Sequence, residues 1–159
     1  MSSESYLIDT AGFDWASLLS AWAWLLPEDS VPWRMNRYGD LFLISSDGAV
    51  SMLDVGTGTL TTVASNATSF DAQLTDEEIA DQWLMGSLVE SAVAAGLMIG
   101  RGECYGFKRP PVLGGDYTVK NTFVLPVTEH LAFLGELHKQ LRDMPDGSSV
   151  ELKIRREGD

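Results

Sequence analysis

The sequence predicts an α+β fold: a single domain in which an antiparallel sheet, an N-terminal meander, packs against several helices. Three observations carry this. Three short strand-like segments between Asp40 and Ala64 are separated only by Ser46-Asp47-Gly48 and Gly56-Thr57-Gly58, and strands joined by such tight turns run antiparallel. Helical period flanks the block, at Trp15, Leu18, Leu19, Trp22 and Leu25 before it and at Ile79, Trp83, Leu84, Leu88 and Val89 after it. The chain has 159 residues, 45% of them apolar and 21% charged, enough for one core without disulfides or metal.

Asp14 is placed to cap the first helix, which Pro27 closes. Trp24 falls off its apolar stripe, and residues 27–33 read as a connecting loop. The strands of the meander are expected at 40–45, 49–54 and 59–64. A short helix over 67–74 carries Phe70 on its apolar side. Thr75-Asp76-Glu77-Glu78 has the pattern of a capping box, with Thr75 accepting from an early N–H and Glu78 reaching back. The helix it opens is expected to run unbroken to about Gly96. A strand around 104–107 then enters a loop stiffened by Pro110-Pro111 and turned by Gly114-Gly115, since proline fixes φ and glycine takes positive φ without a clash. Another strand follows at 122–126. Thr128 is placed to cap a last helix bearing Leu131, Phe133, Leu134, Leu137 and Leu141, ended by Pro145-Asp146-Gly147. Residues 150–154 alternate like an edge strand, and Lys153, Arg155 and Arg156 discourage further pairing there. No repeat or linker interrupts the chain, so one domain over 1–159 is expected.

The charge is lopsided. Residues 1–100 hold fourteen carboxylates against Arg34 and Arg37, whereas residues 101–159 hold nine charges of each sign. Such a field repels nucleic acid and anionic membranes and favours basic partners, although solubility alone also accounts for it. The longest apolar run, about nine residues over 18–26, is far short of a membrane span. The start of the chain lacks the positive charge of a secretory leader. Cys104 is the one cysteine, so no internal disulfide forms, and a reducing cytoplasm is the expected location.

Motifs for chemistry are missing. His130 and His138 lie two helical turns apart, roughly 12 Å along the axis, too far to chelate one metal together, and read as structural. Cys104 reads as a small core residue. Gly56-x-Gly58 and the glycines at 96–102 lack the lysine and the strand-to-helix setting of a phosphate loop. No catalytic residue, cofactor or metal is therefore expected. Asp71, Asp76, Glu77, Glu78 and Asp81 have two readings. Carboxylates in a first helical turn satisfy the helix dipole, and five within eleven residues also suit a basic protein surface. With Gly114 and Gly115 of the shaped loop, they are the candidate partner-binding residues. Trp33 and Tyr38 beside Arg34 and Arg37 suggest arginine–aromatic stacking inside the fold. A homodimer through aromatics such as Trp24 or Trp33 is a further alternative.

Four segments together resemble a known bacterial family. They are Asn36-Arg37-Tyr38-Gly39-Asp40-Leu41-Phe42, Leu53-Asp54-Val55-Gly56-Thr57-Gly58-Thr59-Leu60, the stretch 103–121 with Glu103-Cys104-Tyr105-Gly106-Phe107 and Leu113-Gly114-Gly115, and Leu134-Gly135-Glu136-Leu137-His138. Spread over about 33–143, they are similar to the C-terminal domain of type VI secretion immunity proteins that protect against DNase effectors, formerly a domain of unknown function. The resemblance implies a non-catalytic cytoplasmic protein that binds and neutralises a cognate toxin, and the acidic field suits a basic one, such as a nuclease that must hold DNA phosphates. Members often carry a further N-terminal domain, for which the stretch before Trp33 leaves no room. A regulatory or scaffold module, or a small-ligand binder or enzyme, are the alternative readings.

Overall fold

The structure, a computed structural model, describes residues 3–144. Four strands form a meander in the order β1 (Val31–Met35), β2 (Leu41–Ile44), β3 (Val50–Asp54) and β4 (Thr59–Ala64). All pairs are antiparallel, with Leu41 opposite Leu53 and Leu53 opposite Leu60. Helices α2 (Ala67–Gln73), α3 (Glu77–Leu84) and α4 (Gly86–Ala94) follow, then β5 (Glu103–Phe107), which pairs with β6 (Thr122–Pro126) in a two-stranded ribbon. Helix α5 (Val127–Arg142) comes last, and α1 (Trp15–Leu18) lies near the start. This is the α+β arrangement with an antiparallel N-terminal sheet that the sequence predicts. The expected turn at 145–147 and strand at 150–154 lie outside the described residues.

Strand β2 is buried on both faces, which explains why it reads Leu-Phe-Leu-Ile rather than alternating with polar residues. Leu41, Leu43, Leu53 and Val55 pack with Trp22, Leu131, Leu134 and Leu137 on one side. Phe42 and Val50 pack with Phe70, Trp83 and Leu84 on the other. Phe70 anchors the second layer, stacked on Trp83 at 5.0 Å and edge-on to Phe42 at 4.9 Å. A third cluster joins Tyr38, Val89, Ala92 and Tyr105, fixing α4 to the ribbon.

Five local expectations are corrected. The segment expected as a loop contains β1, an edge strand. Proline is tolerated there, and the register slips between Pro32 and Arg34. The first helix is broken: Asp14 caps it by accepting from the Ser17 N–H, but after Leu18 the chain continues as a 3₁₀ turn over Ser20–Trp22. The break lets two indoles face α5. Trp22 Nε1–H donates to the Leu131 carbonyl at 3.0 Å, and Trp24 Nε1–H to those of Ala21 and Gly135 at 2.9 and 3.2 Å. Residues two apart on an unbroken helix point about 200° apart.

Asp76, not Thr75, caps α3, accepting from the Glu78 and Ile79 N–H groups, while the Thr75 hydroxyl donates back to Ala72. The helix expected to reach Gly96 splits at Met85, whose φ of 54° is left-handed. Asp81 caps the second half by accepting from the Ser87 N–H at 2.7 Å. Gly86 lets the Tyr6 ring close in, since a Cβ there would lie 3.0 Å from it. Finally, α5 starts at Val127 after Pro126 without a side-chain cap, so Thr128 does not open it.

Candidate functional site

Helix α5 crosses the end of the sheet where the β1–β2 and β3–β4 turns lie, and its two histidines hold both turns. His130 Nε2 bonds the Tyr38 carbonyl at 2.9 Å, and His138 Nε2 bonds the Val55 carbonyl at 2.8 Å. A carbonyl only accepts, so each imidazole carries its proton on Nε2. Burial pushes the His130 pKa down to about 4 against the pull of that carbonyl, and lowers His138 as well. Gly39, at φ +86°, and Gly58, at φ +74°, lie directly beneath the rings. A Cβ would come within 2.6 Å of His130 Cδ2 or 2.5 Å of His138 Nδ1. Both histidines, expected as surface or partly buried structural residues, are instead buried and bonded to backbone carbonyls.

Beside His130 sits a buried polar knot. The Asn36 carbonyl oxygen accepts from the Tyr38 and Asp40 N–H groups, while its amide donates to the Asp40 carboxylate and the Trp83 carbonyl. Asp40 also accepts from the Val55 N–H at 3.0 Å. Burial, and then the nearby Asp54 charge, push the Asp40 carboxyl up to about 7, opposed by the Asn36 and Val55 donors.

The loop between β5 and β6 forms the facing wall. A 3₁₀ turn over Pro111–Leu113 ends at Gly114, which takes φ +90°. Gly115 is needed for space instead, because a Cβ there would lie 1.7 Å from the Arg109 carbonyl oxygen. Asn121 ties the loop shut: its oxygen accepts from the Arg109 N–H, and its amide donates to the Arg109 and Asp116 carbonyls. Phe107 stacks on Tyr38 at 5.1 Å and holds Tyr117 edge-on at 5.1 Å.

Between these walls runs a groove of about 1930 Å³. Its apolar surface includes Phe107, Tyr117, Phe133 and Leu137, and its rim carries Asp54, Asp81, Glu129 and Glu136 against a single cation, Lys108. Tyr117 and Phe133 are among the large apolar side chains most exposed in the described residues, at 49% and 40%.

The seven residues singled out from the sequence do not gather on one surface. Asp81 lines the groove. Gly114 and Gly115 line a separate shallow recess with Arg109, Asp116 and Lys120. Asp71 pairs with Arg34 at 2.6 Å and Asp76 is a cap, whereas Glu77 and Glu78 stand exposed in the first turn of α3. Sequence reasoning missed Asp54, Tyr117, Glu129, Phe133 and Glu136. No sequence signal marks them as a set, because Asp54 and Tyr117 lie on other elements than the three α5 residues.

Arg34 stacks on Trp33 at 3.8 Å, the expected arginine–aromatic contact. Trp24 stacks on Trp22 at 6.0 Å beneath Arg142. Both candidate dimer aromatics are therefore engaged within the chain. Cys104 is buried and burial, with the Asp40 and Glu103 charges, pushes its thiol up, the opposite of what a nucleophile needs. Among the described residues, no group of three or more His, Cys, Asp or Glu side chains could hold a metal, and no helix is long and apolar enough to cross a membrane.

Comparison with known proteins gives a family match over part of the chain. Residues 64–138 match the family described as T6SS immunity protein Tdi1, C-terminal. The match runs from the last residue of β4 to His138. It contains the 103–121 and 134–138 segments of the resemblance but not the 36–42 and 53–60 segments. No curated protein matches the chain.

Proposed function

We propose, for a chain whose residues 64–138 fall in the type VI secretion immunity family, that it is a non-catalytic cytoplasmic immunity protein that binds and neutralises one basic effector of the nuclease class. The family match carries the reading, and the groove supports it. A nuclease must present cationic surface to hold DNA phosphates, and the groove offers carboxylates around exposed aromatics. The two acidic sets have different parts. Asp71, Asp76, Glu77 and Glu78 contribute to the long-range field that steers encounter, and the groove, with Asp81 on its rim, supplies the close contact. Gly114 and Gly115 shape the loop that forms one wall. A stable interface of this kind buries on the order of 1,200–2,000 Å².

The test is co-expression with the product of the adjacent gene, which the reading expects to be a secreted nuclease, scored first as survival and then by pull-down. Survival with a recovered complex that weakens at high salt is the expected result. A complex indifferent to ionic strength would remove the electrostatic part of the reading. Killing that the protein does not relieve would remove the whole.

A further inference from the structure

The described residues end in the lining of the groove. Glu129, Phe133, Glu136 and Gln140 fall four, three and four positions apart on α5, which puts them on one face. All four are exposed and line the groove, as do Leu141 in the last turn and Met144 just past it. Phe107 and Tyr117 line it from the loop side. The two ion pairs among the described residues, Arg34–Asp71 and Arg142–Asp143, involve none of the rim carboxylates Asp54, Asp81, Glu129 and Glu136.

The sequence that follows has the complementary character. Pro145-Asp146-Gly147 has turn chemistry. After it Val150, Leu152 and Ile154 alternate with Glu151, Lys153 and Arg155, and Arg156 comes next. Three of the chain's eleven lysines and arginines thus fall within four positions, its densest cationic stretch, interleaved with apolar residues. The groove is the reverse, an apolar lining with a carboxylate rim. The reach also fits. Glu129 to Gln140 spans about 16 Å of helix at ~1.5 Å per residue, and residues 150–156 cover about 23 Å at the ~3.3 Å per residue of an extended chain.

We propose that residues 150–156 of this same chain occupy the groove, running back along α5 with Val150, Leu152 and Ile154 against the apolar lining and Lys153, Arg155 and Arg156 at the rim carboxylates. The proposal goes beyond the effector reading, because it says what covers the groove before a partner arrives. A segment tethered beside its site has an effective concentration on the order of millimolar, so a weak contact suffices. A partner that needs the groove then binds more weakly, in proportion to the fraction of molecules in which the groove is free.

The test uses the full ¹⁵N-labelled chain with a nitroxide attached at Gly158→Cys. Cys104 is buried and its thiol pushed up, so the label goes to the new position. Amides of residues 128–133 are expected to lose most of their signal intensity to the nitroxide. Those of residues 61–64, on the edge strand β4, should keep theirs. Lys153→Glu with Arg155→Glu and Arg156→Glu should restore the lost signals without changing the melting temperature. Glu129→Lys with Glu136→Lys should restore them as well. A nitroxide-bearing chain without ¹⁵N, mixed with a ¹⁵N chain without nitroxide, should broaden nothing. Four results would each overturn the proposal: full intensity at residues 128–133, broadening centred on residues 61–64, broadening that survives the triple glutamate variant, or broadening that appears in the mixture and so places the segment on a second copy. The readout needs no effector, so the two readings fail separately. Docking without neutralisation sinks the effector reading alone, and neutralisation without docking sinks this proposal alone.

Discussion

The end of the sheet under α5 and the flank formed by α2 and α3 are both rich in polar groups, yet those groups work differently. Under α5, Asn36, Asp40, His130 and His138 are buried and bonded to residues from other elements, over separations of up to 92 positions. On the flank, Asp76 and Asp81 bond N–H groups within six positions, and Asp71 forms an exposed pair with Arg34. The first set closes the fold and the second finishes helices. A run of carboxylates in sequence is thus a poor guide to where a site lies. What matters is which distant elements deliver groups to one place.

Small substitutions should separate the two regions. Gly58→Ala combines a left-handed backbone with a clash against His138, and should cost about 3 kcal/mol in urea-unfolding measurements. Gly48→Ala is the control: its φ is +89° but the space around it is open, so about 1 kcal/mol is expected. Equal losses would show that the histidine contact contributes nothing.

Charge reversal comes next. Glu129→Lys with Glu136→Lys should weaken effector binding roughly 100-fold, mainly through faster dissociation, whereas Glu77→Lys with Glu78→Lys should change it about threefold, through slower association. Surface plasmon resonance at two salt concentrations distinguishes these. The reverse pattern would move the interface to the flank.

Acid titration probes the buried set alone. His130 has its folded pKa pushed down from 6.5 to about 4, so the unfolded chain takes that proton first. Its contribution to stability is full above pH 6.5 and is lost as pH falls towards 4. Asp40 has its folded pKa raised from 3.8 to about 7. Its contribution is full below pH 3.8 and is lost as pH rises through 7. The slopes oppose each other, so the stability profile between pH 4 and 7 should be shallow. Asp40→Asn should unmask a rise in stability with pH, read from urea midpoints, and an unchanged profile would refute the assignment.

The smallest effects belong to the flank. Asp76→Ala should cost about 1 kcal/mol through loss of the cap. Asp71→Ala should cost well under 1 kcal/mol, because its ion pair is exposed and screened.

Local signals in the sequence located most elements. The meander strands 2 to 4, α2, the β5–β6 ribbon and α5 follow from turn residues and periodicity. The strand at Val31–Met35 escaped because Pro32 reads as a loop residue, and its edge position is visible only once β2 is in place. The break at Met85 escaped because Leu84 and Leu88 keep helical spacing across it, and Gly86 was its sole hint. The groove was not legible at all. Asp54 reads as the end of a strand, Tyr117 as loop and Glu129 as surface helix, and only the crossing of α5 over the sheet end brings them to one rim.

That crossing helix also separates two kinds of change open to the molecule. On α5 the inward positions His130, Leu131, Leu134, Leu137 and His138 are locked by the fold, while Glu129, Phe133 and Glu136 face outward. Substituting the outward three alters what is recognised without touching what keeps the chain folded. If the proposed function holds, recognition could therefore be re-aimed one side chain at a time, at little cost to the protein's own integrity.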